Sequence, residues 1–165
     1  MNEAAVRRVV LADAEEIAAI YAHHVLHGTA TFDTEPPTAE FWMGKIGELD
    51  ERGWPFLVAE VDGHVAGYAY ATQFRNRAAY ARTCENSIYV SPDMTGRGIG
   101  TTLIATLAEA AAGRGFRQMI AVIGGGESAS VALHAKAGFR HAGRMERVGE
   151  KFGRLLDTVY MQRSL

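Results

Sequence analysis

At 165 residues, with 48% hydrophobic and 22% charged side chains, the chain has the make-up of one globular domain with a single covered core, which excludes intrinsic disorder. A formal net charge of −2 leaves no basic footprint for nucleic acid. A single cysteine, Cys84, excludes an internal disulfide framework, and no run reaches the roughly 18 apolar residues a membrane span needs.

The N-terminus carries no apolar leader run, so a cytoplasmic location is expected. Ala4 to Val10 reads as a first strand. Asp13 stands three residues before Glu16, a D-x-x-E variant of the capping box, and Ile17, Ile20, Tyr21 and His24 follow at helical spacing. Gly28 is expected to end this helix as its C′ residue. His23 and His24 point about 100° apart on a helix, and with no Cys, His or Asp cluster nearby no metal is expected. The polar stretch 29–37 is either a plain connector or the wall of a pocket. Pro36 and Pro37 bar helix until Thr38 caps a second one, which runs to about Arg52 and stops at Gly53.

Phe56 to Val61 and His64 to Gln73 read as strands joined at Asp62-Gly63, a two-residue hairpin signal. Phe74 to Arg82, FRNRAAYAR, then brings arginines and aromatics together. It is either a solvated basic loop or an arm for a carboxylate, with which Arg pairs in bidentate fashion.

The stretch TCENSIYVSPDMTGRGIGTTLIATL (83–107) organises the rest. It reads as a strand from Cys84 to Val90, a Pro-broken turn, glycines at 96, 98 and 100, and a helix from Gly98 or Ile99 to about Arg114. Glycines at every second position suit a loop whose backbone approaches a ligand, and the uncapped N–H groups of the next helix form an anion site. Alone, GxGxG is a weak signal, with a flexible turn as the alternative. It is neither a Walker loop, since no GK[ST] follows, nor the dinucleotide fingerprint. Glu85 places one carboxylate on the strand before it, a candidate base. Cys84 and Glu85 are neighbours on a strand and face opposite ways, so Cys84 is expected in the core rather than as a nucleophile.

Phe116 to Ile123 is an apolar strand of the kind covered on both faces. After Gly124-Gly125-Gly126 come a helix from Ser128 to Ala137, a strand opening over Phe139 to Gly143, a turn at Gly149 to Gly153, and a last strand from Leu155 to Gln162. The order β-α-α-β-β-β-α-β-α-β-β is mixed α/β with adjacent hairpins.

With NSIYVSPDMTGRGIGTTL, LHAKAGF (Leu133 to Phe139) and GEKFGRLLD in this order, the chain resembles the GNAT N-acetyltransferases, from about Val6 to Gln162. TCENSIYV with LHAKAGF and GEKFGRLLD is similar to the phosphinothricin and methionine sulfoximine acetyltransferase branch. The resemblance implies a single GNAT domain over 1–165, with a largely antiparallel mixed sheet, a splayed strand pair and about four helices. It implies acetyl-CoA as co-substrate, no metal, a small-molecule amine as acceptor, and a homodimer with no nucleic-acid or membrane partner.

Cofactor contacts then fall on Ile88, Tyr89 and Val90, on the loop Thr95, Gly96, Arg97, Gly98, Ile99, Gly100 and Thr101, and on Ser130. Catalysis falls on Glu85 as general base, the Val90 N–H as oxyanion donor and His134 as the group that orients or protonates the thiolate. The acceptor falls to Phe74, Arg75, Thr83, Glu85 and Phe32, with Arg77 or Arg82 as weaker candidates and Thr29 to Phe32 as the facing wall. Lys151, Phe152 and Arg154 are expected to line a cleft shared between subunits. The chain departs from the family pattern at Thr95, where Arg or Gln is usual, at Glu127, where Asn is usual, and at His134, where many members carry Tyr. An acid at 127 is not expected to hold phosphate. The alternatives are an acetyltransferase for a polyamine, against which the basic 74–82 arm speaks, or for a protein N-terminus, and a non-catalytic acetyl-CoA-binding module, which would predict loss of Glu85 or of the IYV strand.

Overall fold

A computed structural model describes residues 3–165. In chain order the elements are β1 (Ala5–Arg8), α1 (Ala14–His27), α2 (Ala39–Arg52), β2 (Phe56–Val61), β3 (His64–Gln73), β4 (Thr83–Val90), α3 (Ile99–Gly113), β5 (Gln118–Gly124), α4 (Ser128–Lys136), β6 (Arg140–Lys151) and β7 (Arg154–Ser164). The strands form one seven-stranded sheet in the order β1-β2-β3-β4-β5-β7-β6. Every neighbouring pair is antiparallel except β4 and β5, which run parallel. The expected element order and α/β class are both present.

Strand alternation sends the two faces of the sheet into separate cores. Leu103, Ile104 and Leu107 of α3 pack with Ala69, Ala71, Cys84 and Met119 on one face. Ile17 of α1 and Trp42 of α2 pack with Val58, Tyr68 and Tyr70 on the other. Cys84 is fully buried in the first core, and burial pushes its thiol up to about 12, so it is a packing residue.

Three local expectations need correction. The Asp13–Glu16 capping box does not form. Asp13 instead accepts from the Val10 N–H and pairs with Arg7, while Glu16 reaches across to accept from the Val65 N–H at 3.1 Å. A buried carboxylate gains more from a guanidinium than from an amide. Gly28 does end α1, but as its C-cap rather than its C′ residue, in an extended conformation (φ −128°). Strand β6 runs unbroken in chain order to Lys151, through a bulge between Met145 and Gly149, so the hairpin turn narrows to Phe152-Gly153 at positive φ.

Gly67 sets how closely α3 approaches the sheet. A Cβ there would stand 3.0 Å from the Tyr89 carbonyl oxygen and 3.2 and 3.3 Å from Leu103 and Ile99. Gly67→Ala is expected to push the N-terminal end of α3 outward at a cost of about 1–3 kcal/mol. A denaturant titration would read this as a lower midpoint at unchanged slope, and an unmoved midpoint would refute the tight approach.

Candidate active site

Strands β4 and β5 pair only from Thr83–Gln118 to Asn86–Ala121 and then part. The Phe74 N–H donates to the Thr83 carbonyl and the Ser91 N–H to the Ala66 carbonyl. Odd-numbered residues of β4 therefore spend their backbone groups on β3, and even-numbered ones face the gap. Ile88 and Val90 thus turn backbone groups into the opening, whereas Tyr89 contributes only its side chain. The Val90 carbonyl is already engaged by His24 Nε2 at 2.9 Å, which leaves the Val90 N–H facing the gap. A carbonyl can only accept, so Nε2 carries the His24 proton. Burial lowers the pKa of this imidazole, in keeping with the neutral ring.

The opening is one continuous cleft of two cavities that share Ala30, Ile88, Tyr89 and Ser130. The larger, about 630 Å³, is walled by Thr95, Gly96, Gly98, Ile99, Gly100 and Thr101. Gly96 (φ 75°) and Gly98 (φ 78°) take left-handed conformations on either side of Arg97, open to glycine at little cost. No side chain caps α3, and its first closed turn is Thr102 N–H to the Gly98 carbonyl. The N–H groups of Ile99, Gly100 and Thr101 remain for an anion, at the positive end of the helix dipole. The residues present fit a pyrophosphate without a side-chain clamp from Thr95, whose hydroxyl is turned back on the Pro92 carbonyl. Glu127 also borders this cavity, but it is held by the Thr29 hydroxyl.

The smaller cavity, about 250 Å³, contains Glu85, Phe32, Thr31, Ser87 and Thr158. The Glu85 side chain is 31% exposed, and desolvation raises its pKa against the opposing pull of Arg75 and Lys45. Arg75 Nη1 lies 3.7 Å from Glu85 Oε1, and its guanidinium stacks on the Phe74 ring at 4.0 Å. The amide of Gln73 folds this arm by donating to the Arg75 and Arg77 carbonyls.

His134 sits at the bottom of the same cavity, 2% exposed. Its Nδ1 donates to the Ser130 carbonyl at 2.7 Å, and its Nε2 faces the Asn86 amide at 3.2 Å. Burial lowers its pKa, so a neutral ring with Nε2 as acceptor is favoured. Turning the Asn86 amide over lets Nδ2, otherwise without a partner, donate to that nitrogen. Both ring nitrogens are then engaged, an arrangement suited to orienting groups rather than to giving up a proton.

The fold gathers most of the expected residues. Phe32, Glu85 and His134 line the smaller cavity, while Val90 and the glycine loop line the larger. Arg97 stands outside, exposed, with its guanidinium at the Met94 sulfur. Phe74, Arg75, Arg77 and Thr83 do not line the cavity itself: Arg75 reaches Glu85 from outside and stacks on Phe74, Arg77 is exposed, and Thr83 lies at the far end of β4 with its carbonyl tied to Phe74. Lys151 is turned inward on its own chain, while Phe152 and Arg154 are exposed. His24 and Asn86 were missed. Each is a polar residue in an apolar repeat, His24 after Ile17, Ile20 and Tyr21, and Asn86 between Cys84 and Ile88, and that interruption was the available signal. Among the described residues no group of three or more His, Cys, Asp or Glu could hold a metal, and no helix is long and apolar enough to cross a membrane.

Residues 17–139 match the model of the acetyltransferase (GNAT) family. The chain is 49% identical over 154 residues to a phosphinothricin N-acetyltransferase of Alcaligenes faecalis, covering 93% of this chain and 78% of that one. It is 37% identical over 163 residues to an L-methionine sulfoximine/L-methionine sulfone acetyltransferase of Pseudomonas paraeruginosa, covering 98% and 95%. The crystal structure of a GNAT superfamily phosphinothricin acetyltransferase from Sinorhizobium meliloti, in complex with acetyl-CoA, superposes with a TM-score of 0.96 at 45% identity, covering 98% of this chain and 88% of that one.

Proposed function

The chain belongs to the GNAT family and is an acetyl-CoA-dependent N-acetyltransferase, and from that premise we propose that it acetylates the α-amine of a small amino-acid-like acceptor of the phosphinothricin, methionine sulfoximine or methionine sulfone type. The observation that carries this reading is the pairing of Glu85 with Arg75 at the mouth of the smaller cavity. An α-amino acid presents an ammonium that must lose a proton beside a carboxylate that wants a fixed cation.

Acetyl-CoA supplies a thioester carbonyl as the electrophile. Glu85, directly or through one water, takes the proton from the acceptor ammonium so that the free amine attacks in a ternary complex. The Val90 N–H, held by the His24 bond on the same residue's carbonyl, donates to the developing oxyanion. Ile88 offers backbone groups to the pantetheine arm, and the Gly96–Thr101 segment offers N–H groups to the pyrophosphate. His134 and Ser130 hold the floor between the two cavities. A thiolate leaves without strong acid help, so an orienting His134 suffices.

A homodimer in the cytoplasm completes the reading. Leu26, Val148, Phe152 and Leu155 are exposed around the tip of the β6–β7 hairpin, an apolar surface that a second copy would cover. Equilibrium sedimentation should give twice the mass of 17.9 kDa.

The test is thiol release from acetyl-CoA with phosphinothricin, methionine sulfoximine, methionine sulfone, spermidine and a short peptide. Turnover on the first three is expected. Arg75→Gln should raise their KM by about tenfold or more, the loss of one charged hydrogen-bonded pair, with acetyl-CoA KM little moved. Turnover on spermidine or peptide alone would discard the acceptor, and silence across all five would discard the amino-acid reading.

A further inference from the structure

The loop from Gly28 to Asp33 has no regular structure, yet Ala30, Thr31 and Phe32 form one wall of the smaller cavity. Irregular backbone beside a cavity needs donors for its carbonyls. Two of them come from one side chain, 120 or more residues further along. Lys151, the last residue of β6 and 5% exposed, donates from Nζ to the Gly28 carbonyl at 2.8 Å and to the Thr31 carbonyl at 2.9 Å. No carboxylate is within ion-pair reach among the described residues, and Asp33 of the same loop favours the ammonium only from further off, so the two carbonyls are the direct partners of this desolvated charge. The Phe152 ring lies 5.2 Å from the same Nζ.

Gly149 and Lys151 are two residues apart on one strand and face the same way. The Phe32 ring packs directly over Gly149, in the space a Cβ would fill, and also closes on Gly124. The end of β6 thus supplies both a seat for the Phe32 ring and a clamp for the carbonyl just before it. Thr31 is held from its other side by Tyr21, whose hydroxyl lies 2.7 Å from Thr31 Oγ1 and 2.5 Å from Asp33.

We propose that Lys151 is a positioning residue of the acceptor site: by clamping the Gly28 and Thr31 carbonyls it sets where Phe32 and Thr31 stand, and so sets acceptor affinity. The inference rests on the acceptor reading given above. In Lys151→Met the stem still packs and only the donors are lost. Acceptor KM is expected to rise about tenfold or more, with a smaller change in kcat. The effects of Lys151→Met and Phe32→Ala on acceptor KM should be strongly non-additive, because the clamp acts through that ring. Amide hydrogen exchange across residues 28–33 should speed up in the variant at a temperature where the whole chain stays folded. Should Lys151→Met not fold, Lys151→Leu, which likewise lacks any donor, carries the same measurements. A variant that melts earlier yet keeps acceptor KM within about twofold, or that adds simply with Phe32→Ala, would overturn the clamp and leave Lys151 a structural residue. If the wild type acetylates none of the amino acids, the acceptor reading fails. The exchange measurement then decides the clamp alone, with unchanged exchange over 28–33 refuting it.

Discussion

Glu85→Gln is expected to lower kcat/KM for the acceptor by about a hundredfold to ten-thousandfold, the range for loss of a positioned general base. The substitution keeps the shape of the side chain and its reach into the cavity, so acetyl-CoA affinity should hold. Burial raises the Glu85 carboxyl above its ordinary range, while Arg75 and Lys45 pull the other way. A base works only when deprotonated, so the acid limb of the kcat/KM profile should lie above the usual carboxylate range. Arg75→Gln removes one of the groups that favour the carboxylate, so the limb should move to higher pH in that variant. Movement to lower pH, or a Glu85→Gln enzyme within a few-fold of wild type, would place the base elsewhere.

Trp42→Ala is expected to cost about 3–5 kcal/mol of stability, the range for emptying a large aromatic from a packed core. Trp42 is 1% exposed and stands edge-on to Tyr21, Phe56, Tyr68 and Tyr70. Its loss should also reach the site. Tyr21 holds Thr31 and Asp33, and Lys45, one turn along α2 from Trp42, lies over the Tyr70 ring at 4.6 Å. Trp42→Phe should cost distinctly less. The indole Nε1 has no protein acceptor among the described residues, so phenylalanine removes an unsatisfied buried donor along with part of the ring. Paired denaturant melts give the comparison directly, and equal costs for the two variants would mean that the indole N–H is satisfied in solution.

The alternation of apolar and polar residues in 83–90, the glycines at 96, 98 and 100, and the helical spacing in α1 are relations between residues a few positions apart. Local backbone geometry decides them, and they were legible before any fold was known. The same holds for the hairpin at Asp62-Gly63 and for Glu85 and Cys84 facing opposite ways. Where local rules failed, a partner outside the helix had outbid them. Asp13 left its cap for Arg7, and Glu16 left it for the Val65 N–H, 49 residues away.

By itself, then, the amino-acid order determined the succession of elements, the uncapped glycine-led start of α3 and the strand that carries Glu85. Only the tertiary structure decided the rest. Where β4 and β5 stop pairing at Asn86 and Ala121 depends on what packs beneath each strand, not on either strand alone. His24 meets the Val90 carbonyl across 66 positions, and Lys151 meets the Gly28 carbonyl across 123. Such contacts form only once the loops between them are closed, and no spacing along the chain encodes them.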